Sequence, residues 1–364
     1  NGKITKIEEL VQVPEQCKVY DFTDKVVMPG MINTHVHIGM EPVGDPSDYF
    51  MNSSDVEIIL NAEKHLKKYL ETGVTYVRSL GTVNYIDVKF KEAIKKGFIK
   101  GPGIVTSGSV ITMTGGHGHF FGLESDGVDE CRKSARLLCK NGVDVIKIMA
   151  TGGVMTPGVE PGSPQLTYEE IKVAVDEAHK AGRKTATHAQ GSTGIKNAVL
   201  AGIDSVEHGI YLTDEIIELM IEKGTFLVPT IAAPYFIKEV GVEGGIPEYA
   251  IRKTEMVIDS HIDSFRRAYK AGVKIAMGTD AGTPFNMHEK SWYEPKLMVD
   301  NGMKPMDAIK ASTKNAAELL GIDKNYGTIE EGRVADIIVL ETNPLENIEA
   351  LSKVYKVFKE GIEN

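Results

Sequence analysis

Cysteine is scarce in this chain, because only Cys17, Cys131 and Cys139 occur in 364 residues and no Cys-x-x-Cys motif is present. Cys131 and Cys139 lie eight residues apart on a predicted helix, which separates them by roughly 12 Å at about 1.5 Å per residue. That distance is too long for a disulfide bond. We therefore expect reduced, structural thiols and a reducing compartment, the cytoplasm.

Long apolar runs and concentrated positive charge are also absent. No stretch approaches the roughly 20 apolar residues that a membrane span requires, so we expect no membrane partner. The net charge is −10 at pH 7, and no stripe of Lys and Arg offsets it, which argues against nucleic acid as a partner. No Gly-x-Ser-x-Gly motif occurs and no cysteine lies beside a candidate base, so we expect no serine or cysteine nucleophile.

What the chain does contain is a repeated pattern of amphipathic helix, small residue and glycine, apolar strand and turn. In one copy EIILNAEKHLKKYLETG ends at Gly73 and leads into VTYVRSLG, as glycine just beyond a helix predicts. Repetition of this unit predicts parallel strands joined by right-handed crossovers. About eight strands, the number in a (β/α)8 barrel, are predicted near Met31, Val77, Ile104, Val145, Thr185, Val206, Leu227 and Ile275.

The two ends of the chain follow a different pattern, typical of antiparallel strands. Near the C-terminus, GTIEEGRVADIIVLE and VYKVFKEG predict hairpin strands. The N-terminal stretch to about Val27 alternates apolar and polar residues, with PEQ as a predicted turn. The apolar positions there are Ile4, Ile7, Val19 and Phe22, and the C-terminal turns are predicted at Glu331-Gly332 and Glu360-Gly361.

These patterns predict an α/β fold with two domains. The barrel is expected over residues 29–321 and ends in a helix with the sequence DAIKASTKNAAELLG. Residues 1–28 and 322–364 are expected to pair into one small β-domain built from both chain ends. An open doubly wound sheet is the nearest competitor, but it would place its site at one switch point rather than at ligands around a ring.

Side chains that bind metal ions follow the apolar strands, which deliver them to the mouth of a barrel. His35 and His37 lie two residues apart on one strand and therefore point the same way, which suits a pair of metal ligands. Taken alone, His-x-His fits two polar loop residues better than it fits a metal site. Four further strand ends make the ligand interpretation the better one, because they carry Lys147 in VDVIKIMATGG, His188 in KTATHAQG, His208 in DSVEHG and Asp280 in VKIAMGTDAG.

Lys147 is the least expected of these residues, since an ammonium group within an apolar strand is costly unless it is paired or neutralised. One interpretation is an inward lysine that pairs with a carboxylate such as Asp144, or one whose ammonium group reaches solvent. The other is that its neutral amine takes up CO₂. The resulting carbamate is a bidentate anion that could bridge two cations.

Several of these segments resemble the amidohydrolase superfamily, and more narrowly its imidazolonepropionase-related branch, which includes metal-dependent Xaa-Pro dipeptidases and carboxypeptidases. The segments are PGMINTHVH, VIKIMATGG, THAQG, VEHG, GTDAG and GTIEEGRVADIIVL, and the resemblance runs from about Val26 to the C-terminus. It implies a distorted (β/α)8 TIM barrel with a flanking β-sandwich. It also implies two divalent metal ions, usually zinc, one held by His35, His37 and Asp280, the other by His188 and His208, with carboxylated Lys147 as the bridge.

The sequence departs from this family in two places. The N-terminal strands of the sandwich are shortened. Single-metal members of the superfamily, imidazolonepropionase among them, lack a lysine on the fourth strand, so Lys147 favours the two-metal group.

The function that we expect is hydrolysis of the amide bond before a C-terminal residue such as Pro, Arg or Lys, in a dipeptide or short peptide. A metal-bridging hydroxide would attack, and Asp280 would move the proton to the leaving nitrogen. By similarity, His119 and Tyr235 would hold the carbonyl or carboxylate of the substrate. We also expect a homo-oligomer, by analogy with the family alone.

Other residues are weaker candidates for substrate contacts. His117 shares the Gly-rich loop TMTGGHGHF with His119, and both fit incidental loop histidines nearly as well. Arg78 is either an anion clamp or part of a structural ion pair, and Glu160 or Glu294 could select a basic side chain. The loop TGGVMTPGVEPGSPQLTYEE has the length and composition of an active-site lid. The remaining histidines are predicted on helices or at the surface, at positions 65, 179, 261 and 288.

The ligand set leaves other functions open. A hydrolase of another amide, carbamate or lactam would use the same residues, and so would a deaminase. A non-catalytic scaffold on the same barrel is the alternative from a different class, since fold alone does not guarantee activity. A scaffold would have little use for a lysine within an apolar strand.

Overall fold

The computed structural model describes residues 2–9 and 16–364. Its strands are β1 (Val26–Pro29), β2 (Met31–Val36), β3 (Val74–Ser79), β4 (Gly103–Thr106), β5 (Val110–Thr112), β6 (Gly122–Glu124), β7 (Val145–Met149), β8 (Lys184–Ala189), β9 (Ser205–His208), β10 (Phe226–Val228), β11 (Ile337–Leu340), β12 (Val354–Lys359) and β13 (Ile362–Glu363).

The α-helices are α1 (Pro46–Asn52), α2 (Asp55–Glu71), α3 (Ile86–Lys95), α4 (Val128–Lys140), α5 (Tyr168–Lys180), α6 (Ser192–Ala201), α7 (Asp214–Lys223), α8 (Ala232–Val240), α9 (Glu248–Ala271), α10 (Tyr293–Asp300), α11 (Pro305–Ala311) and α12 (Lys314–Leu320). Short 3-10 helices cover His119–Phe121, Gly241–Gly244, His288–Lys290 and Ile348–Ser352. None of the described helices combines the length and apolarity that a bilayer crossing requires.

Parallel strands form a barrel in two arcs, with the orders β2-β3-β4 and β10-β9-β8-β7-β5-β6. The third barrel strand joins the arcs, because β4 pairs with β3 whereas β5, a few residues later, pairs with β7. At the change of partner the backbone N–H of Asp144 donates to the carbonyl of Thr106 at 2.8 Å. The barrel that the repeated pattern predicts is therefore confirmed, in a distorted form.

The eighth barrel strand is an irregular extended segment, residues 274–281, rather than a regular strand. It pairs with β10 on one side, where the carbonyl of Lys274 accepts from the N–H of Leu227 at 2.8 Å. On the other side the carbonyl of Met277 accepts from the N–H of Thr34 in β2 at 2.9 Å. These bonds close the ring and place the end of this segment beside the end of β2.

Both chain ends contribute to a separate antiparallel sheet with the order β1-β11-β12-β13. The turn at Glu360-Gly361 between β12 and β13 is confirmed, with φ values of 53° and 74°, as a two-residue hairpin requires. The Glu331-Gly332 turn also forms, but the strand that lies beside it is the N-terminal segment, through a single bridge between Lys3 and Val334. The sheet domain from both chain ends is thus confirmed.

The strands expected around Val19 and Phe22 do not form. Phe22 instead packs its ring against Phe358 and Tyr355 at centroid distances of 6.2 and 6.4 Å, while Val19 is exposed. Aromatic contacts across the face of the sheet replace a backbone ladder there. The predicted PEQ turn falls on residues of which 14 and 15 lie outside the described part of the chain.

The single helix expected over DAIKASTKNAAELLG is wrong, because α11 ends at Ala311 and α12 begins at Lys314. Ser312 and Thr313 both bond their hydroxyl groups to carbonyls four residues earlier, a pattern that competes with helix continuation. The carbonyl of Ser312 also accepts from the N–H of Ile32 in β2 at 2.8 Å. The break thus fixes the two helices to the barrel.

Gly30, between β1 and β2, provides a test of how the sheet domain is joined to the barrel. Its N–H donates to the carbonyl of Asp336 at 2.9 Å, and a Cβ atom at this position would overlap the Thr75 side chain. We expect Gly30→Ala to lower the free energy of unfolding by about 1–3 kcal/mol, as other overpacking substitutions do. Urea unfolding measures the change.

Adding Thr75→Ala should restore part of this loss, since it removes the two nearest overlapping atoms, Oγ1 and Cγ2, and keeps Cβ. Equal stability of Gly30→Ala and the unsubstituted protein would show that the junction can adjust.

Candidate active site

All six predicted metal ligands line one cavity at the carboxyl ends of the barrel strands. The cavity has a volume of about 850 Å³ including its open mouth. The ligands are His35 and His37 from the end of β2, Lys147 from β7, His188 from β8, His208 from β9 and Asp280 from the eighth segment. The structure thus brings together residues up to 245 positions apart in sequence, from 35 to 280.

Asp280 lies between the two histidines of β2. Its Oδ1 is 3.2 Å from Nε2 of His35 and 3.0 Å from Nε2 of His37. Burial alone would raise the pKa of Asp280, but the hydrogen bonds and charges of His35 and His37 outweigh it and hold the pKa well below its usual value. Asp280 is therefore a carboxylate at neutral pH.

His188 and His208 form the opposite side of the cluster, with ring centroids 4.5 Å apart. The ring centroid of His208 also lies 5.3 Å from that of His35, so the two sides of the cluster adjoin each other. Burial lowers the pKa values of His188 and His208 well below the usual range. Both imidazoles are therefore neutral at pH 7, which is the form that binds metal ions.

Two of the ligands occupy strained backbone conformations. His208 and Asp280 have φ values of 72° and 60°, and Thr230, at the end of the neighbouring strand, has 53°. The left-handed region costs about 1–3 kcal/mol for residues other than glycine and is concentrated at functional sites. The side chain of Thr230 holds His208 in place, with Oγ1 2.6 Å from Nδ1.

A buried ion pair beneath the cavity orients His35. Glu207 lies within the barrel with one carboxylate oxygen 2.8 Å from Nη2 of Arg78 and the other 2.9 Å from Nδ1 of His35. Arg78 and Glu207 are 1% and 0% exposed. Such a carboxylate fixes the tautomer of a ligating histidine, because Nδ1 must donate and Nε2 is left as the ligand atom.

Arg78 is therefore a structural residue and not an anion clamp. Besides Glu207, its guanidinium group binds the carbonyl of Thr34 and the hydroxyl of Ser205, the latter at 3.0 Å. These contacts use three of its five N–H donors, and the buried guanidinium group lies outside the cavity wall, where a substrate carboxylate would not reach it.

Lys147 is 1% exposed, and within residues 2–9 and 16–364 its ammonium group has no hydrogen-bond or ion-pair partner. The expected alternative, a pair with Asp144, is excluded because Asp144 contacts Lys91 and Thr106 instead. Burial lowers the pKa of Lys147 to about 8. This shift increases the share of neutral amine, which is the nucleophile that carbamate formation requires.

The donor set fits a divalent metal ion. Ligand atoms of His35, His208 and Asp280 lie within 4.8 Å of one another, and all three residues are buried. Nδ1 of His37 is buried without a hydrogen-bond partner among the described residues. A pocket with several neutral imidazoles, one carboxylate and an unpaired lysine is better suited to cations than to any neutral ligand.

The candidate substrate contacts divide into two groups. His117 lines the cavity with its ring 4.1 Å from that of His188, and burial lowers its pKa to about 3. His119 is exposed and outside the cavity wall. Tyr235 also lies outside the cavity wall, and its hydroxyl group is 3.3 Å from that of Tyr293. Its neighbour Pro234 is part of the wall.

The two glutamates expected to select a basic side chain also lie elsewhere. Glu160 is exposed, with Oε1 3.1 Å from Arg252. Glu294 is fully buried and accepts the N–H groups of Ile231 and Ala232 at 2.8 and 2.7 Å, at the start of α8. Burial raises the pKa of Glu294 to about 8. Among the residues that the structure describes, Asp280 carries the only carboxylate in the cavity wall.

Sequence reasoning missed His261, which was expected on a helix or at the surface. It lies on α9, is 1% exposed and lines the cavity, with Nε2 2.7 Å from the carbonyl of Pro229. The signal was present in the helical spacing of Ala250, Thr254, Val257 and His261, which form one buried face. A histidine within such an apolar stripe faces the barrel.

Comparisons with known proteins agree with this architecture. A model described as the amidohydrolase family matches residues 26–362. Ochratoxinase of Aspergillus niger is 34% identical over 370 aligned residues, which cover 92% of this chain and 72% of that protein. Imidazolonepropionase of Kosmotoga olearia is 24% identical, with 96% of this chain and 84% of that protein covered.

A solved structure of a Xaa-Pro dipeptidase with bound methionine in its active site superimposes with a TM-score of 0.93 at 34% identity, and covers 100% of this chain and 93% of that one. Fold and comparisons together define the class of protein, a hydrolase built on a parallel α/β barrel. The chain belongs to the amidohydrolase family, and the resemblance drawn from the sequence motifs is confirmed.

Substitution of Arg78, which lies outside the cavity wall, is expected to lower both the stability of the protein and its affinity for metal ions. Arg78→Met leaves Glu207 as an unpaired buried charge, so we expect a loss of about 3–5 kcal/mol in the free energy of unfolding. Because Arg78 no longer holds Glu207 against His35, metal affinity should fall about 10–100-fold. Urea unfolding and competition with a metal-binding dye measure the two effects.

The matched control is Arg252→Met, which removes an exposed contact with Glu160 at 3.1 Å. An exposed pair contributes less than about 1 kcal/mol. Equal losses in the two variants would contradict the role assigned to the buried pair.

Proposed function

We propose that this protein hydrolyses the amide bond before an apolar C-terminal residue, such as proline or methionine, in a dipeptide or similar N-acyl amino acid. The observation that carries this proposal is the composition of the cavity wall. Besides the six ligands, the wall contains a large apolar portion, to which Met40, Phe120, Phe121, Met149, Ile210 and Ile237 contribute.

The wall argues against a basic residue at the scissile bond, although Arg and Lys were expected as alternatives to Pro. A buried substrate ammonium or guanidinium group would need a carboxylate partner, and Asp280 already contacts His35 and His37. Glu160 and Glu294 are outside the cavity. An apolar side chain requires no such partner.

The chemistry would depend on a binuclear metal centre held by His35, His37 and Asp280 on one side and His188 and His208 on the other, with carboxylated Lys147 between them. When bound, divalent ions lower the pKa of a bound water toward about 7 and polarise a carbonyl group. The chain's own residues supply the remaining functions, which are proton transfer, orientation and exclusion of water.

Asp280 is the residue that we assign to proton transfer. Its low pKa keeps it a carboxylate that can accept the proton of the attacking water. Once protonated it can donate to the leaving nitrogen, as general acid–base catalysis requires. His117, neutral and within the cavity wall, can donate one N–H to the substrate carbonyl. Contacts from His119 and Tyr235 stay a prediction, which would require their loops to turn toward the cavity.

Two of the comparisons bear on this proposal, one in its favour and one in favour of a second candidate. The Xaa-Pro dipeptidase structure holds methionine, a residue of the expected apolar class. The ochratoxinase match favours a second candidate, an amide of a larger non-peptide acyl group, since that relative is named for ochratoxin. Both candidates share the same bond and the same ligands, and they differ in the acyl side of the substrate.

A substrate panel tests the proposal. The zinc-loaded protein is assayed for release of the free amino acid from Ala-Pro, Ala-Met, Ala-Leu, Ala-Arg, Ala-Lys and ochratoxin A. We expect kcat/KM for the apolar dipeptides to exceed that for Ala-Arg and Ala-Lys by about 100-fold or more, since a buried charge would be left unpaired.

Asp280→Asn is the control that separates this site from contaminating peptidases, since it should remove all release. Preference for Ala-Arg, or release that persists in Asp280→Asn, would contradict the proposal. Hydrolysis of ochratoxin A alone would favour the second candidate.

A further inference from the structure

The loop between β7 and α5 forms part of the cavity roof. We call residues 152–163 the cavity loop. At its base, Thr151 and Pro164 form a bridge, and the N–H of Gly152 donates to the carbonyl of Ser163 at 2.9 Å. Its tip reaches over the cavity, where Val154, Met155 and Thr156 are part of the wall.

The tip of the cavity loop is held by one face of α9. Nζ of Lys253 donates to the carbonyl of Thr156 at 2.7 Å and also to the carbonyl of Val159. One turn earlier, the hydroxyl of Tyr249 donates to the carbonyl of Met155 at 3.1 Å. Side chains of α9 therefore form hydrogen bonds with three backbone carbonyls of the cavity loop.

Lys253 is unusual because it is 2% exposed and forms no ion pair within the described residues. A buried ammonium group is costly unless its donors are satisfied. Here two backbone carbonyls of the cavity loop accept hydrogen bonds from it, so the position of the tip and the burial of the charge depend on each other. Any opening of the loop would leave the charge unsatisfied until water reached it.

The same tip contacts His117. Oγ1 of Thr156 is 2.8 Å from Nδ1 of His117, and this is the one hydrogen bond of the hydroxyl group among the described residues. The backbone of Gly153 packs directly on the imidazole, since a Cβ atom there would overlap the ring. The free hydroxyl hydrogen of Thr156 can therefore point to Nδ1, which then leaves the proton of a neutral imidazole on Nε2.

We propose that Lys253 is a positioning residue, which holds the cavity loop so that Thr156 donates to Nδ1 of His117 and the Nε2–H of His117 is available to the substrate carbonyl. The part that concerns the substrate rests on the proposed amide hydrolysis. Lys253 acts through Thr156 and touches neither the ligands nor the cavity. A tautomer fixed in advance gives the donor a defined direction before the substrate binds.

Hydrogen exchange tests the first link without any assay of activity. In Lys253→Met the aliphatic stem is kept and the ammonium group is lost, so residues 153–160 should exchange about tenfold faster or more, as locally opened segments do. The control is Arg252→Met, which removes the neighbouring exposed contact with Glu160 on the same loop. It should change exchange less than about twofold. Unchanged exchange in Lys253→Met would overturn the proposal.

Nitrogen NMR of the histidine side chains tests the second link, again without substrate. The unsubstituted protein should show His117 protonated at Nε2, and Thr156→Val should shift the tautomer toward Nδ1. Thr156→Ser retains the hydroxyl and should restore the original tautomer. A proton on Nδ1 of His117 in the unsubstituted protein would contradict the assigned hydrogen bond.

Kinetics test the coupling between the two residues. Thr156→Val should lower kcat about 10- to 100-fold with a smaller change in KM, because loss of an oxyanion donor acts mainly in the transition state. In the Lys253→Met background the same substitution should have little further effect, whereas independent roles would give multiplied losses.

Retained folding of each variant is checked by its thermal midpoint. If the substrate panel fails but exchange and tautomer change as expected, the proposed function is wrong and the positioning role stands.

Discussion

Burial of ionisable side chains at one end of the barrel is the constraint on which the site depends. Parallel strands deliver four imidazoles, one amine and one carboxylate to the same mouth, where little water can solvate them. The low pKa values of His188 and His208 are the direct result, because burial keeps both rings neutral. A cluster of neutral imidazoles around a single carboxylate is a donor set that suits a divalent cation.

The supporting residues follow from the same constraint. Glu207 neutralises Arg78 and orients His35 from within the barrel, and Lys253 is satisfied by carbonyls of the cavity loop. In both places a buried charge is compensated by a residue, Glu207 or Thr156, that also forms a hydrogen bond with an imidazole of the cavity wall. The left-handed backbone conformations of His208 and Asp280 add a local free-energy cost and set the directions of these two side chains. The contacts that compensate these buried charges therefore also position side chains of the cavity.

The barrel and its six candidate ligands could be predicted from the sequence, because each ligand follows an apolar strand and is followed by glycine or a turn residue. His35, His37, Lys147, His188 and Asp280 were found by that rule, and so was His208. The partner of Arg78 could not be predicted, since the pair joins β3 to β9 across the barrel. The helix break at Ser312–Thr313 was missed because a hydrogen bond to β2 outweighs helix propensity there. His119 and Tyr235 could not be placed, because tertiary contacts set the direction of a loop.

Anomalous diffraction at the zinc edge, from crystals grown with zinc and bicarbonate, tests the central claim most directly. Two peaks are predicted, one beside His35, His37 and Asp280 and one beside His188 and His208, with density that continues beyond Nζ of Lys147 to both. A single peak, with density that ends at Nζ, would contradict the binuclear centre and leave Lys147 as an unmodified buried amine.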